Sequence, residues 1–181
     1  RQSNATGDSY HLRMDQDPAS GQLAGTVDPK VGDVLPLDSG KITISGPNGA
    51  GVYSDAKGNH FNVTVKPEPD GKFRAEKALK SGDVLVNDDG SKMTMSSATA
   101  GVLSGNGSNY HATLSLDANQ WGYSTSMAFQ AGDTLAMPAN NATVTFSSST
   151  RGRVSFSDGK APRNVSVVMQ GPNQPYFNFI R

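Results

Sequence analysis

The residues best suited to metal chemistry are three histidines. His11 and His111 share one column of a 50-residue period, and His60 is offset from it by one position. Three imidazoles converging on a point would suit zinc, which accepts nitrogen ligands in a tetrahedral shell. The local alternation argues otherwise: His11 and His111 stand between apolar residues that point the other way, so both read as solvent-facing. No metal or other cofactor is therefore expected. Asp15-x-Asp17 and Asp88-Asp89-Gly90 are the acidic candidates for calcium, and neither has the ligand spacing of an EF-hand loop.

Other chemistry has still less to work with. The chain has no cysteine and no Gly-x-Ser-x-Gly elbow, so neither a thiol enzyme nor a typical serine hydrolase fits it. Ser54 and Ser104 match in repeat position, which duplication explains better than catalysis. Gly46-Pro-Asn-Gly-Ala-Gly51 is glycine-rich but lacks the lysine of a phosphate-binding loop. No catalytic residue is assigned. For ligand binding, Trp121 and Tyr123 lie two residues apart, on one face of an extended strand, where their rings could stack on a sugar. A packing role is the competing reading for both.

The elements that would position these residues come from a repeat. Gly32-Asp33-Val34-Leu35, Gly82-Asp83-Val84-Leu85 and Gly132-Asp133-Thr134-Leu135 recur every 50 residues. Tyr10, His60 and Tyr110 fall in one column of this register, and Gly51-Val52-x-Ser54 matches Gly101-Val102-x-Ser104. Period-two alternation puts Tyr10, Leu12 and Met14 on one face. It does the same for Phe61, Val63 and Val65, for Tyr110, Ala112, Leu114 and Leu116, and for Val165, Val167 and Met169. Turns rich in Asp, Asn, Pro and Gly follow each such strand. Returning strands carry Leu23, Phe73, Tyr123 and Phe177. Phe73–Lys80 alone has the composition of a two-turn helix, although its counterparts look extended.

These patterns predict an all-β chain, an antiparallel β-sandwich or a repeat array of ~50-residue units with about five short strands each. The units run 1–50, 51–100 and 101–150, with a partial unit at 151–181; two small subdomains split near 90 are the alternative. The unmatched remainder favours an open sheet, sandwich or array over a closed threefold body. It also gives a subunit that polymerises a segment with which to complete a neighbour's edge. Gly32, Asp33, Gly82, Asp83, Gly132 and Asp133 are read as repeat-defining turns, with the aspartates marking architecture.

Composition agrees with many short strands. Fourteen of the 16 acidic residues are the turn former Asp, and there are 20 glycines and 10 prolines. Net charge is zero, and the chain lacks the basic, aromatic-lined face of a nucleic-acid binder. Charge is uneven nonetheless: residues 93–150 hold no Lys or Arg, whereas Arg151, Arg153, Lys160 and Arg163 face only Asp158. That cluster reads first as solvated surface and second as a patch for an acidic glycan or a neighbouring subunit. No apolar run is long enough to span a membrane as a helix. A start at Arg1 suggests a processed form or a fragment. Five Asn-x-Ser/Thr sequons, at Asn4, Asn62, Asn106, Asn141 and Asn164, matter only in a eukaryotic secretory pathway.

The expectation is a non-enzymatic extracellular structural or adhesive subunit, as in a bacterial pilus, flagellum, surface layer or phage virion. It would associate with itself or with sister subunits. A carbohydrate-binding module using the loops around Trp121 and Tyr123, with a glycan as partner, is the alternative.

Overall fold

The computed structural model describes residues 2–3, 9–16 and 18–181. Arg1, the sequon at Asn4 and Asp17 of the Asp15-x-Asp17 pair lie outside them. The chain is all-β, its paired strands run antiparallel, and its helical content among the described residues is two 3-10 turns, Pro69–Gly71 and Pro138–Asn140. No helix among the described residues is long and apolar enough to cross a membrane.

The described residues pack as two compact units, the first drawn from the spans 1–85 and 116–122, the second from 86–115 and 123–181. The first unit contains β1 (Gln2–Ser3), β2 (Ser9–Tyr10), β3 (Leu12–Gln16) and β4 (Leu23–Val27). It continues through β5 (Val34–Leu37), β6 (Gly40–Ile44), β7 (Ala50–Ser54), β8 (His60–Pro67) and β9 (Phe73–Lys77) to the start of β10 (Val84–Val86). Strands β5 to β9 form a continuous meander, and β3 with β4 makes a separate hairpin.

The second unit contains β11 (Lys92–Met95), β12 (Ala100–Gly105), most of β13 (Ser108–Leu116) and β14 (Tyr123–Met127). Then follow β15 (Thr134–Met137), β16 (Ala142–Phe146), β17 (Arg151–Phe156), β18 (Arg163–Gly171) and β19 (Gln174–Phe179). Strands β15 to β19 form its meander, and β11 to β13 pair in sequence.

Alternation decides which side chains enter each core. Phe61, Val63 and Val65 of β8 are buried with Leu35, Ile42 and Ile44, while Tyr110, Ala112 and Leu114 of β13 are buried in the second unit. Phe129 stacks on Phe146 there, with ring centroids 4.0 Å apart. The alternation expected at the two outer strands does not hold throughout. Met14 is 56% exposed and Met169 40% exposed: Met14 lies on the separate β3–β4 hairpin, and Met169 lies past the stretch of β18 that pairs with β17.

Strand pairing decides two further points. The helix-like stretch beginning at Phe73 is strand β9 up to Lys77, held by pairing with β8; ladder bonds outweigh the local preference of Ala75, Glu76 and Lys77. The Tyr10–His60–Tyr110 column is also off by one in its middle member. Ser9, His60 and Asn109 are the residues that pair with Val34, Val84 and Thr134, so Phe61 stands where Tyr10 and Tyr110 do.

Glycines are used in two distinct ways. Gly32, Gly82 and Gly132 have φ of 94°, and a Cβ built on any of them meets nothing within 4 Å. Gly51, Gly101 and Gly152 lie instead under a neighbouring strand: a Cβ at Gly51 or Gly152 would come within 2.8 Å of a threonine carbonyl, and Gly101 is tighter still. In denaturant melts, Gly132→Ala is expected to cost about 1–2 kcal/mol, the backbone term alone. Gly101→Ala should cost more, about 3 kcal/mol, because β11 must move away. Equal losses would show that the close strand approach does not constrain the unit.

Candidate functional site

The aspartates of the three Gly-Asp turns are the most buried acidic groups described, at 1% exposure for Asp33, 5% for Asp83 and 4% for Asp133. Each closes a four-residue turn through its own amide: Asp33 N–H donates to Lys30 O at 2.9 Å, and Asp83 and Asp133 donate to Lys80 O and Gln130 O at 3.1 Å. Glycine at the third position of such a turn supplies the positive φ that other residues resist. Each carboxylate then turns back and accepts the amide of that same first residue, at 2.8–2.9 Å.

A second segment, 21 or 22 residues upstream, completes each cradle. His11 donates its backbone N–H to Asp33 at 3.1 Å, and its ring Nδ1 lies 2.9 Å from the carboxylate. His111 does the same for Asp133, at 2.9 and 2.8 Å. An ionised carboxylate only accepts, so Nδ1 carries the proton in both rings. For Asp83 the holder is Asn62, with backbone N–H at 3.0 Å and Nδ2 at 2.8 Å. Burial alone would push the Asp33 carboxyl up; the hydrogen bonds from the His11 ring and from the Lys30 and His11 amides outweigh it and hold the pKa below 3.8.

The histidines thus face away from the core, as their alternation implies, yet their rings are only 39% and 36% exposed and each is tied to a buried aspartate. His60 is exposed and is not a cradle residue. No group of three or more His, Asp or Glu side chains among the described residues is placed to hold a metal ion. Asp89 bonds locally, accepting from the amide and hydroxyl of Ser91 at 2.9 and 2.6 Å, an arrangement typical of an Asp turn.

Trp121 and Tyr123 belong to different units. Trp121 packs edge-on to Tyr53, with centroids 5.8 Å apart, and 5.6 Å from Phe61. The Lys77 ammonium sits 3.9 Å above the indole and donates to the Trp121 carbonyl oxygen. Burial pushes that ammonium down to about 8, against Asp117 and Asp38, which raise it. Tyr123 donates its hydroxyl to Asn87, which in turn bonds the buried Ser91. Residue type gave no hint of Lys77 as an aromatic-cage lysine; its place opposite Val63 on β8 is what brings it to Phe61 and Trp121.

The exposed large apolar side chains described in the second unit lie on its C-terminal hairpin. Val168, Met169, Tyr176 and Phe179 are 40–53% exposed on β18 and β19. Beside them a groove of about 800 Å³ is lined by Leu135, Met137, Phe156, Tyr176, Phe177 and Phe179 among others, with the Asp158–Lys160 ion pair also on its wall. Within the unit, β19 pairs with β18 alone among the described strands. Comparison of the chain with models of protein families, with curated proteins and with solved structures finds no match.

Two pH effects follow. Asp33 has a folded-state pKa below its ordinary 3.8, so its contribution is complete above that value and is lost as pH falls through the folded-state pKa. Asp33→Asn should therefore cost about 1–3 kcal/mol at pH 7 in urea melts, with the gap to wild type closing below pH 3.8. A gap independent of pH would refute the ionic cradle. Lys77 gives a pH slope of the same sign at the alkaline end, although there it reflects the cost of burying the charged ammonium. The unfolded chain holds the Lys77 proton up to 10.5 and the folded chain only to about 8, so stability rises between those values. Lys77→Met should remove about 2 kcal/mol of that rise, measured as the difference from wild type across the window.

Proposed function

We propose that the chain is a non-enzymatic structural or adhesive subunit of an extracellular assembly, such as a bacterial appendage or surface layer, or a virion. The single observation that carries the reading is the C-terminal hairpin, whose Val168, Tyr176 and Phe179 are each more than half exposed. Among the described strands β19 pairs with β18 alone, and a strand edge carrying exposed apolar side chains is a surface that another chain can extend. The buried aspartates and their histidines support the same reading. The carboxylates and the Nδ1 atoms of the histidines are engaged in holding turns to strands, so we read the His–Asp pairs as architectural.

A glycan-binding module built on Trp121 and Tyr123 competes with this proposal. Both aromatic groups already have protein partners, the indole beneath Lys77 and the phenol on Asn87. The zero net charge and the shortness of the cation clusters, at 72–80 and 151–163, give a nucleic-acid partner no extended basic face.

Multi-angle light scattering across a concentration series tests the subunit reading. Mass should rise with concentration, with filaments or discrete oligomers visible by electron microscopy. The double substitution Tyr176→Ser, Phe179→Ser should hold the protein at one chain without lowering its melting temperature by more than a few degrees, since both side chains are half exposed. A wild-type chain that stays monomeric at every concentration and shifts on a glycan array would instead favour the binding module.

A further inference from the structure

One backbone bond accompanies every aspartate cradle. Asp28 N–H donates to His11 O, Ala78 to Asn62 O and Ala128 to His111 O, each at 2.9 Å. In each case the aspartate lies five residues after the donor, at Asp33, Asp83 and Asp133. The same bond occurs a fourth time, between Ile180 N–H and Asn164 O, again at 2.9 Å. Asn164 is therefore in the position of a cradle holder, and it is the residue type that holds Asp83 through Asn62.

Its donors point the right way. In the ladder Asn164 faces Arg153 as Asn62 faces Val52 and His111 faces Val102. The N–H and C=O of one strand residue share an edge, so the Asn164 amide opens on the side where its carbonyl meets Ile180. Asn164 is exposed, and a shallow pocket of about 430 Å³ lies there, lined by Ser147, Arg151, Gly152, Asn164, Val165 and Ile180. Among the described residues no carboxylate hydrogen-bonds to Asn164 or ion-pairs with Arg151 or Arg153.

The fourth position differs from the other three in charge. Where Val52 and Val102 stand across from the holder, Arg153 does so here, and Arg151 lines the pocket. A guanidinium is a strong partner for a carboxylate at an open site. Pro162, two residues before Asn164, replaces Ser9, His60 and Asn109, which pair with the strand after the Gly-Asp turn. Proline offers no N–H, so an occupant makes one ladder bond fewer and depends more on its carboxylate.

We propose that Asn164, with Arg151 and Arg153, forms a fourth cradle that accepts the aspartate of a Gly-Asp-x-Leu turn from a partner polypeptide. Three occupied copies of the site within this chain define that occupant: a turn whose carboxylate takes the Asn164 amide and side chain and whose following strand meets the chain at Pro162, just before β18. The proposal deepens the structural-subunit reading, on which the choice of a polypeptide partner rests.

The test titrates the isotope-labelled full chain with a synthetic peptide of the sequence Ala128–Met137, followed by amide NMR. Saturable shifts are expected at Asn164, Val165 and Ile180. The peptide carrying D133N should bind about tenfold more weakly or worse, the usual effect of losing a charged hydrogen-bond partner. Asn164→Leu and Arg153→Glu in the protein should weaken binding similarly, with melting temperature unchanged. Equal binding by the D133N peptide overturns the carboxylate cradle. Saturation of the same amides by polygalacturonate, with the peptide silent, makes the site a glycan site and overturns the polypeptide partner. Binding seen only when the segment is fused after Arg181 overturns supply by a partner, and no binding in either format overturns the site. Peptide binding by a chain that light scattering shows to be monomeric would keep the cradle and sink the subunit reading; assembly that Asn164→Leu leaves untouched, with the peptide silent, would do the reverse.

Discussion

A carboxylate removed from water is costly unless charge-assisted hydrogen bonds surround it, and this chain buries three of them in one arrangement. Each accepts from the first residue of its own turn and from both the backbone and the side chain of a residue 21 or 22 positions earlier. The turn, the strand before it and the hairpin between them are joined at one atom group. The placement of Leu35 and Leu85 in the core follows, since each lies two residues past the aspartate on the strand that the turn starts. With no cysteine to staple it, a chain of many short strands depends on such polar ties to fix register.

The same dependence explains the distribution of side-chain chemistry. Histidine at 11 and 111 and asparagine at 62 do one job, because both offer a donor at similar reach next to a backbone N–H. Lys77 shows a different solution. Its ammonium has left water for the face of Trp121, next to Phe61, and this accounts for its lowered pKa. Both arrangements are internal, so the features open to other molecules lie elsewhere, at the C-terminal hairpin and around Asn164 of the second unit.

Much of the fold was legible in the residues, and the failures have physical causes. Phe61-x-Val63-x-Val65 and Tyr110-x-Ala112-x-Leu114 announced their strands, because a half-buried strand must alternate. Met14 and Met169 followed the same alternation and came out exposed, since alternation identifies a face without showing whether another layer covers it. Phe73–Lys77 carried a helical composition that pairing with β8 overrode. Trp121 and Tyr123 looked like one platform by spacing, yet they belong to separate units with separate partners. Asn164 stood out in the sequence only as a sequon, and its equivalence to Asn62 as a holder comes from strand pairing.

By itself the sequence determined the class of structure and the turns. Alternation, the excess of Asp over Glu, and glycine before each aspartate are local constraints that act within a few residues, through sterics and backbone hydrogen bonds. Only the tertiary structure decided what each aspartate touches. The holder lies 22 residues upstream at Asp33 and Asp133 but 21 at Asp83, and one residue of register reverses which face a side chain occupies. That slip separates His60, which is exposed, from His11 and His111, which hold buried carboxylates, and no count of sequence positions reveals it.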